Sequence, residues 1–342
     1  MHHVPADELR RLAREMLAAV GTPGDLAAIV GDSLVEANLA GHDSHGVLRL
    51  GGYIHAARRG DVKPAARATI AHRDRATGRV DGAWGWGQPA MLMATDMAID
   101  LAVEHGVGCV VVNQCYHIGR IAPYVDAAAE RGLVAIAMSN AGPAVAPHGG
   151  RRRLLGTNPF GWAVPRAKGK PPLSFDIATA GIAEGKLQVA RATGKRVNPG
   201  LIVTAEGHPS DDPNAFWEGG AILPFGGHKG YGVNLLAQVL GCGLAGMDTS
   251  RYTGPAGANG PMIVVIDIKP FVDPARFVDE IEALCARIAG SPPADGVEAV
   301  LLPGDQALAN RRERETSGVP IPESTWTQLS SLAEELGVMS RS

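Results

Sequence analysis

The chain lacks the marks of several protein classes. Its 342 residues include only four cysteines, Cys109, Cys115, Cys242 and Cys285, and none form a C-x-x-C pair. That pattern suits a reducing cytoplasm rather than a disulfide framework. Aromatic residues make up 5%, and no RNA-type aromatic motif occurs. Neither sign of charge dominates, with 32 Lys and Arg against 35 Asp and Glu. Without a basic face, nucleic acid is not an expected partner. The N-terminus, MHHVPADELRRLAREM, carries charges where a signal peptide needs an apolar run. One stretch, residues 230–247, has no charge and nearly enough length to span a bilayer. It also holds five glycines, with Asn234 and Gln238 on one face. It reads as a buried helix at the centre of a soluble protein, so no membrane partner is expected.

The start of the chain is helical. Leu9, Leu12, Met16 and Val20 recur at helical spacing and Gly21 stops the run. A second helix is expected over 23–40. The third stretch, GHDSHGVLRLGGY (41–53), is the most polar-functional segment of the chain. Read as a helix starting near Ser44, it puts His45, Arg49 and Tyr53 at i, i+4 and i+8 on one face. Val47, Leu50 and Ile54 fall opposite and can anchor it. The stripe is then a proton-transfer group, a carboxylate clamp and a phenol, or else a solvated helix face.

After Lys63 the period changes. Short β-like pieces (68–71, 78–80) precede Gly85-Trp86-Gly87-Gln88-Pro89-Ala90 and a helical run over 91–104. The glycines resemble a dinucleotide fingerprint, but the strand over 107–112 ends at Asn113, not at the acid that fingerprint requires. A Gly-rich turn before a helix is the better reading. Residues 107–112 are apolar and β-branched, as in a strand buried on both faces. His117 lies just beyond, where α/β proteins place chemistry; the alternative is a packed loop histidine. A helix over 121–131 and a strand over 133–138 continue the alternation, which predicts an α/β core.

Arg151, Arg152 and Arg153 mark either a phosphate site or a wet loop. A short strand over 173–177 carries Asp176, placed to orient a histidine or cap a helix, and 178–192 reads as helical. Residues 194–220 form a long polar excursion. Leu223–Gly230 reads LPFGGHKG, which is not a Walker A loop. Glycines still admit backbone N–H groups, a helix N-terminus favours an anion, and Lys229 adds a point charge. The ligand is a cofactor phosphate, or the segment is a plain helix-entry turn. Residues 262–268 form another buried strand and 274–289 another helix. Ser324 and Thr325 are positioned to cap a last helix through Leu336.

Six segments resemble, in order, the malate/L-lactate dehydrogenase family of NAD(P)-dependent oxidoreductases. They are GHDSHGVLR (41–49), H-x-G-R (117–120), LLGTNPF (154–160), SFDIAT (174–179), LPFGGHKGYG (223–232) and LPGDQ (302–306). The family includes ureidoglycolate dehydrogenase, 2,3-diketo-gulonate reductase, sulfolactate dehydrogenase and cyclic imino acid reductases. The resemblance implies an α/β fold with a non-Rossmann nicotinamide-binding domain and a helical domain built from both chain ends. The corresponding boundaries are 1–75 with 305–342 for the helical, substrate-contacting part, and 76–304 for the NAD(P)-binding and dimerisation region. A homodimer is implied.

Carried over by position, His45, His117 and Asp176 take the proton-transfer roles, and Ser44, Arg49 and Tyr53 contact substrate. Ser174, Phe175, Asp176, Ile177, Ala178, His228, Lys229, Gly304, Asp305 and Gln306 contact the cofactor, NAD or NADP. Three departures stand out: Tyr116-His117-Ile118-Gly119 replaces Asn-His-Phe-Gly, Pro147-His148-Gly149 replaces Pro-Trp-Gly, and LPGDQ replaces LPGHE or LPGE. The implied reaction is hydride transfer at C2 of a small 2-hydroxy, 2-oxo or cyclic 2-imino acid. Two rivals are a metal-dependent hydrolase using His42, Asp43, His45, His117, His148 and His228, and a catalytically inactive nucleotide-binding protein.

Overall fold

Prolines and glycines set where the first helices begin and end. A computed structural model describes residues 1–248 and 254–338. Strand β1 (His2–Val4) leads into α1 (Ala6–Ala19), α2 (Gly24–Leu39) and α3 (Leu50–Arg59). Helices α1 and α2 start directly after Pro5 and Pro23. Gly60 ends α3 in the left-handed region, at φ +80°. The apolar positions of α1 that recur at helical spacing, Leu9, Leu12 and Met16, are all buried.

An α/β layer follows: β2 (Thr69–Asp74), β3 (Thr77–Gly85), α4 (Gly87–His105), β4 (Val107–Cys115), α5 (Ala122–Glu130), β5 (Val134–Met138), β6 (Phe160–Val164), β7 (Leu173–Ile177) and α6 (Glu184–Ala192). The polar excursion folds into β8 (Ile202–Val203), β9 (Pro209–Ser210), α7 (Asn214–Trp217) and β10 (Ala221–Ile222). The chain closes with α8 (His228–Ala237), β11 (Met262–Ile266), α9 (Pro274–Ala289), α10 (Asp305–Ser317), β12 (Val319–Ile321) and α11 (Glu323–Glu335).

The central sheet runs β2-β3-β4-β11-β5-β6-β7. Only β3 and β4 pair in parallel, through the crossover α4; its other neighbours are antiparallel. A doubly wound dinucleotide fold would be mostly parallel. Side chains alternate along β4. Val110 and Val112 enter the core of α4 and α5, whereas Val111 packs with Met262 and Ala245. The strand is therefore buried on both faces. The two chain ends meet elsewhere: β1 pairs with β12, and Val4, Val319, Ile321 and Leu332 share one core with α1, α2 and α3.

Several expectations change. No continuous helix starts near Ser44; Asp43–His45 and Val47–Arg49 are separate 3-10 turns, split at an extended Gly46. Residues 178–183 are not helical, because Thr179 donates back to the carbonyls of Thr157 and Asn158. Ser324 and Thr325 do not cap α11; Pro322 occupies that place with no side-chain cap. The uncharged segment is not a buried central helix. Helix α8 passes into a π-helical turn, Gln238–Gly243, and Leu235, Leu236, Val239 and Leu244 stand exposed.

The cause is a polar contact on the inner side. Buried Asn158 donates to Asn234 Oδ1 and Gln238 Oε1, both at 2.9 Å, and accepts from the Ala141 amide. The polar edge of the helix is thus held inward and its apolar edge turned out. Asn158→Ala removes four hydrogen bonds and takes from the Ala141 amide and the buried Asn234 Oδ1 the partner they have here. We expect a loss of about 3 kcal/mol, since each orphaned buried group costs roughly 1–3 kcal/mol. Urea unfolding checks this as a lower midpoint at unchanged slope; an unchanged midpoint would refute it.

Candidate active site

The turn between α2 and α3 is held by Asn38. Its Nδ2 donates to Asp43 Oδ1 at 2.7 Å, and its Oδ1 accepts from the Val47 amide at 2.8 Å. A Cβ on Gly46 would fall 2.1 Å from Asn38 Oδ1, so this approach needs glycine. Arg314 of α10 closes the turn from outside, its Nη1 lying 2.6 Å from Asp43 Oδ1. Asp43 is thereby committed to structure. Ser44 and His45 project from the turn, with Ser44 Oγ 3.1 Å from His45 Nδ1. Arg49 donates from Nε to the Ser44 carbonyl at 2.7 Å, and its exposed guanidinium keeps both terminal nitrogens available.

His117 comes from the other layer. The chain leaves β4 through Tyr116, whose amide donates to the Gly85 carbonyl at 3.0 Å. Ile118 is pinned on both sides: its amide donates to Asn259 Oδ1, and its carbonyl accepts from Tyr124 Oη. Between these anchors, His117 Nδ1 lies 2.7 Å from Tyr53 Oη. The His45 and His117 rings stack at 5.6 Å between centroids, 24° from parallel. Burial, with Arg49, His42 and Arg120 nearby, pushes His45 down to about 3. Burial does the same to His117, aided by Arg49 and His45, leaving it well below the ordinary histidine range. Burial raises the Tyr53 phenol above its usual value.

Asp176 sits apart from this pair. Its Oδ2 accepts from the Ile121 and Ala122 amides, both at 3.0 Å, so it caps α5. Arg120 Nε lies 3.7 Å from the same oxygen. No hydrogen bond joins Asp176 to a histidine among the described residues. Its neighbour is His42, lowered by burial and by Arg120 and partly restored by the Asp176 charge. Arg120 is itself deeply buried, which lowers it against the pull of Asp176, and its Nε has no hydrogen-bond partner.

The expected cofactor residues gather along the edge strand β7. A Cβ on Gly304, at φ +95°, would lie 3.2 Å from the Ser174 carbonyl, so the LPG turn abuts this strand. Past its other end, Ala180 bridges to Pro224, and the Phe225 amide donates to the Thr179 carbonyl. Gly226 and Gly227 then take φ of +56° and +64° and open α8. Exposed His228 and Lys229 occupy its first turn, which has no side-chain cap. Phe175 packs against Trp162, while Ile177 and Ala178 are half-buried. Asp126 lies beside Ser174, and burial pushes its carboxyl up to about 6 against the pull of Ser174 and Arg120. Asp305 and Gln306 face their own helix: Asp305 accepts from the Leu302 amide, and Gln306 donates to Asn310.

A cleft of about 650 Å³ borders the site, lined by Ser44, Arg49, Gly185, Gln188 and Leu332 among others. The histidine pair lies outside its lining. Among the described residues, no three His, Cys, Asp or Glu side chains are arranged to hold a metal ion. The hydrolase alternative therefore lacks its ligand set.

Sequence reasoning missed Gln88 and Arg120. Gln88 donates to Tyr53 Oη at 3.0 Å from a partner 35 positions away, and nothing local announces it. Arg120 had a signal, a charge inside an otherwise apolar H-x-G-R segment.

Comparison with known proteins covers the whole assembly. Residues 4–330 match the family described as Malate/L-lactate dehydrogenase. The chain is 36% identical over 339 residues to L-lactate dehydrogenase of Cupriavidus necator, covering 96% of each. It is 33% identical over 333 residues to the Delta(1)-pyrroline-2-carboxylate/Delta(1)-piperideine-2-carboxylate reductase of Pseudomonas syringae pv. tomato, covering 95% of each. Its fold matches sulfolactate dehydrogenase from Methanocaldococcus jannaschii with a TM-score of 0.90, at 32% identity and 98% coverage of both chains. On this agreement of motif order, fold and full-length similarity, the chain belongs to the malate/L-lactate dehydrogenase family.

Proposed function

We propose that this protein transfers a hydride between NAD or NADP and C2 of a small 2-hydroxy or 2-oxo acid, or of a cyclic 2-imino acid. The observation that carries the reading is Arg49 and His45 on two successive turns, set beside a His117 held by Tyr53. Relatives named for lactate, malate and cyclic imino acids support the substrate class. We divide the chain into a substrate-contacting part, 1–75 with 305–342, and a cofactor part, 76–304; residues 339–342 lie outside the described ones.

The residues along β7 fit a dinucleotide. Gly226 leaves open space for close backbone approach, and Lys229 adds a cation at an uncapped helix N-terminus. The bound nicotinamide supplies the hydride chemistry. Ser174–Ala178, His228 and Lys229 would hold the dinucleotide, with Gly304, Asp305 and Gln306 as the neighbouring turn.

Arg49 clamps the substrate carboxylate through its two terminal nitrogens. His45 and His117 then flank the C2 oxygen or nitrogen. In the free protein both rings are neutral, held so by burial and by Arg49. A neutral imidazole at His45 is ready to take the proton of a 2-hydroxyl. In the reverse direction, the substrate carboxylate offsets Arg49 and lets a histidine arrive charged. Asp176 acts on this site through its charge on His42 and Arg120, not through a direct bond to either acid–base ring.

The outward apolar edge of α8 supports a homodimer. Leu235, Leu236, Val239 and Leu244 form a patch that a second copy would cover. Light scattering should give twice the chain mass, and Leu236→Glu should move it toward one; a monomeric parent protein would end this reading.

The reaction itself is tested by mixing NADH or NADPH with a panel of 2-oxo acids and cyclic imines and following nicotinamide absorbance. Oxidation by at least one is expected. Arg49→Lys should lower kcat/KM by roughly 10- to 100-fold, the loss of a charge-assisted fork. Silence across the panel would sink the reading, and near-normal kinetics in the variant would remove Arg49 from the clamp.

Histidine burial also fixes a pH dependence. An unfolded histidine titrates near 6.5 and folded His45 near 3, so between them the unfolded chain binds the extra proton. Stability should therefore fall as pH drops from about 6.5 toward 3, and rise with pH across that window. His45→Asn should flatten the slope by up to about 1.4 kcal/mol per pH unit. Urea midpoints at stepped pH check this; equal slopes would show that His45 does not titrate differently on folding.

A further inference from the structure

The Gly85-Trp86-Gly87-Gln88 turn fails as a dinucleotide fingerprint, yet it is built to tight tolerances. It joins β3 to α4. A Cβ on Gly87 would fall 2.1 Å from the Tyr116 carbonyl oxygen and 2.7 Å from the His117 carbonyl carbon. The start of α4 is thus pressed against the backbone that carries His117. Trp86 stacks on Tyr53 at 5.3 Å and donates its indole N–H to Thr22. Gln88 is buried, and its Nε2 lies 3.0 Å from Tyr53 Oη. Its Oε1 is buried with no partner. The turn therefore bears on His117 through one hydroxyl.

We propose that Gln88 is a positioning residue for His117: its amide N–H, given to the Tyr53 hydroxyl, makes that hydroxyl donate to His117 Nδ1 and keeps the ring proton on Nε2. This rests on the reading of His117 as a site histidine, with its Nε2 edge turned to the C2 oxygen or nitrogen. The logic is one of counting protons. Tyr53 has a single O–H to give. With the Gln88 N–H pointing at its oxygen, that proton goes to Nδ1, so Nδ1 carries none. If His117 takes a second proton, Nδ1–H needs an acceptor. Tyr53 must then accept from both sides, and its own proton loses its place.

The amide can resolve this only by turning over. Oε1, now without a partner, would then accept from Tyr53, and Tyr53 would accept from His117 Nδ1–H. Each amide orientation is therefore matched to one proton arrangement on the ring. Gln88 cannot itself relay a proton, and the buried phenol resists ionisation. The chain of bonds from His117 through Tyr53 to Gln88 sets orientation rather than carrying charge. The other groups that act on His117 are His45 and Arg49, from the turns ahead of α3. The turn before α4 and the end of β4 present Gln88, Trp86 and Tyr116.

Two substitutions make opposite predictions. Gln88→Met removes the donor at similar volume, so both His117 tautomers should appear. Gln88→Glu places a carboxylate that only accepts; it should reverse the bonds, put the proton on Nδ1 and raise the His117 pKa. The experiment uses the full chain labelled with ¹⁵N-histidine, with the His117 signal assigned by its loss in His117→Gln. Wild type should show Nε2–H only. The kcat/KM profile should move its histidine limb upward by about one pH unit or more in Gln88→Glu, the scale of a new adjacent charge, and less in Gln88→Met. Tyr53→Phe breaks the same chain from its other end and should give the Gln88→Met spectrum if either Gln88 variant fails to fold.

Identical His117 tautomers in wild type and in the folded Gln88 variants would overturn the proposal. So would a shift of the same size and sign in both. The NMR arm needs no turnover, so it reads the proposal even if the hydride reading fails.

Discussion

A 2.7 Å contact between Tyr53 and His117 joins the two parts of the chain that meet at the site. Tyr53 belongs to the helical core made from both chain ends, whereas His117 leaves the central sheet at the end of β4. Both groups are buried, so the bond cannot be exchanged for water without cost. Around it, Trp86 and Tyr116 pack their rings on Tyr53, and Gly87 lets α4 reach the His117 backbone. The same burial that makes the bond durable strips water from the histidines and keeps them neutral. Geometry and protonation at this site thus have one cause.

Closure from outside is ionic. Glu36 on α2 accepts from Arg10 of α1 and Arg311 of α10, and Asp43 accepts from Arg314. These bonds tie the last helices of the chain to the turn that carries Ser44 and His45. Exposed ion pairs contribute little to stability, but these act on register: Gly41 and Asn310 fit so closely that a Cβ would lie 2.0 Å from the amide. The result is a turn held from both sides with His45 beside His117. The surplus of guanidinium around it, Arg49 and Arg120 against Asp176, leaves a field that favours an anionic ligand.

Much of the layout was legible because it is local. Leu9, Leu12 and Met16 repeat at helical spacing, and Val107 to Val112 can only be a strand wanted on both faces. His45 and Arg49 were readable as a pair since only four positions separate them. Their helix was not there, because Gly46 is bent by Asn38, a contact that residue spacing does not encode. Asp176 was foreseen as a cap or an orienter; it is a cap, for a helix fifty residues earlier. Gln88 was invisible for the same reason: its importance lies in Tyr53, and only the fold brings them together.

The uncharged helix shows where periodicity misleads. Hydrophobic residues without charge predict an interior, and the inference assumes that the polar residues on the helix are the tolerated minority. Here they are the anchor. Asn234 and Gln238 point inward because Asn158 offers each a hydrogen bond that water would otherwise make. Burying a paired amide costs little, whereas burying it unpaired costs several kcal/mol, roughly as much as covering two leucines returns. Once Asn158 is fixed, the helix has one orientation, and its leucines must face out. An apolar edge turned out by an inner polar contact is not a fault of folding; it is the surface on which the proposal of a second copy rests.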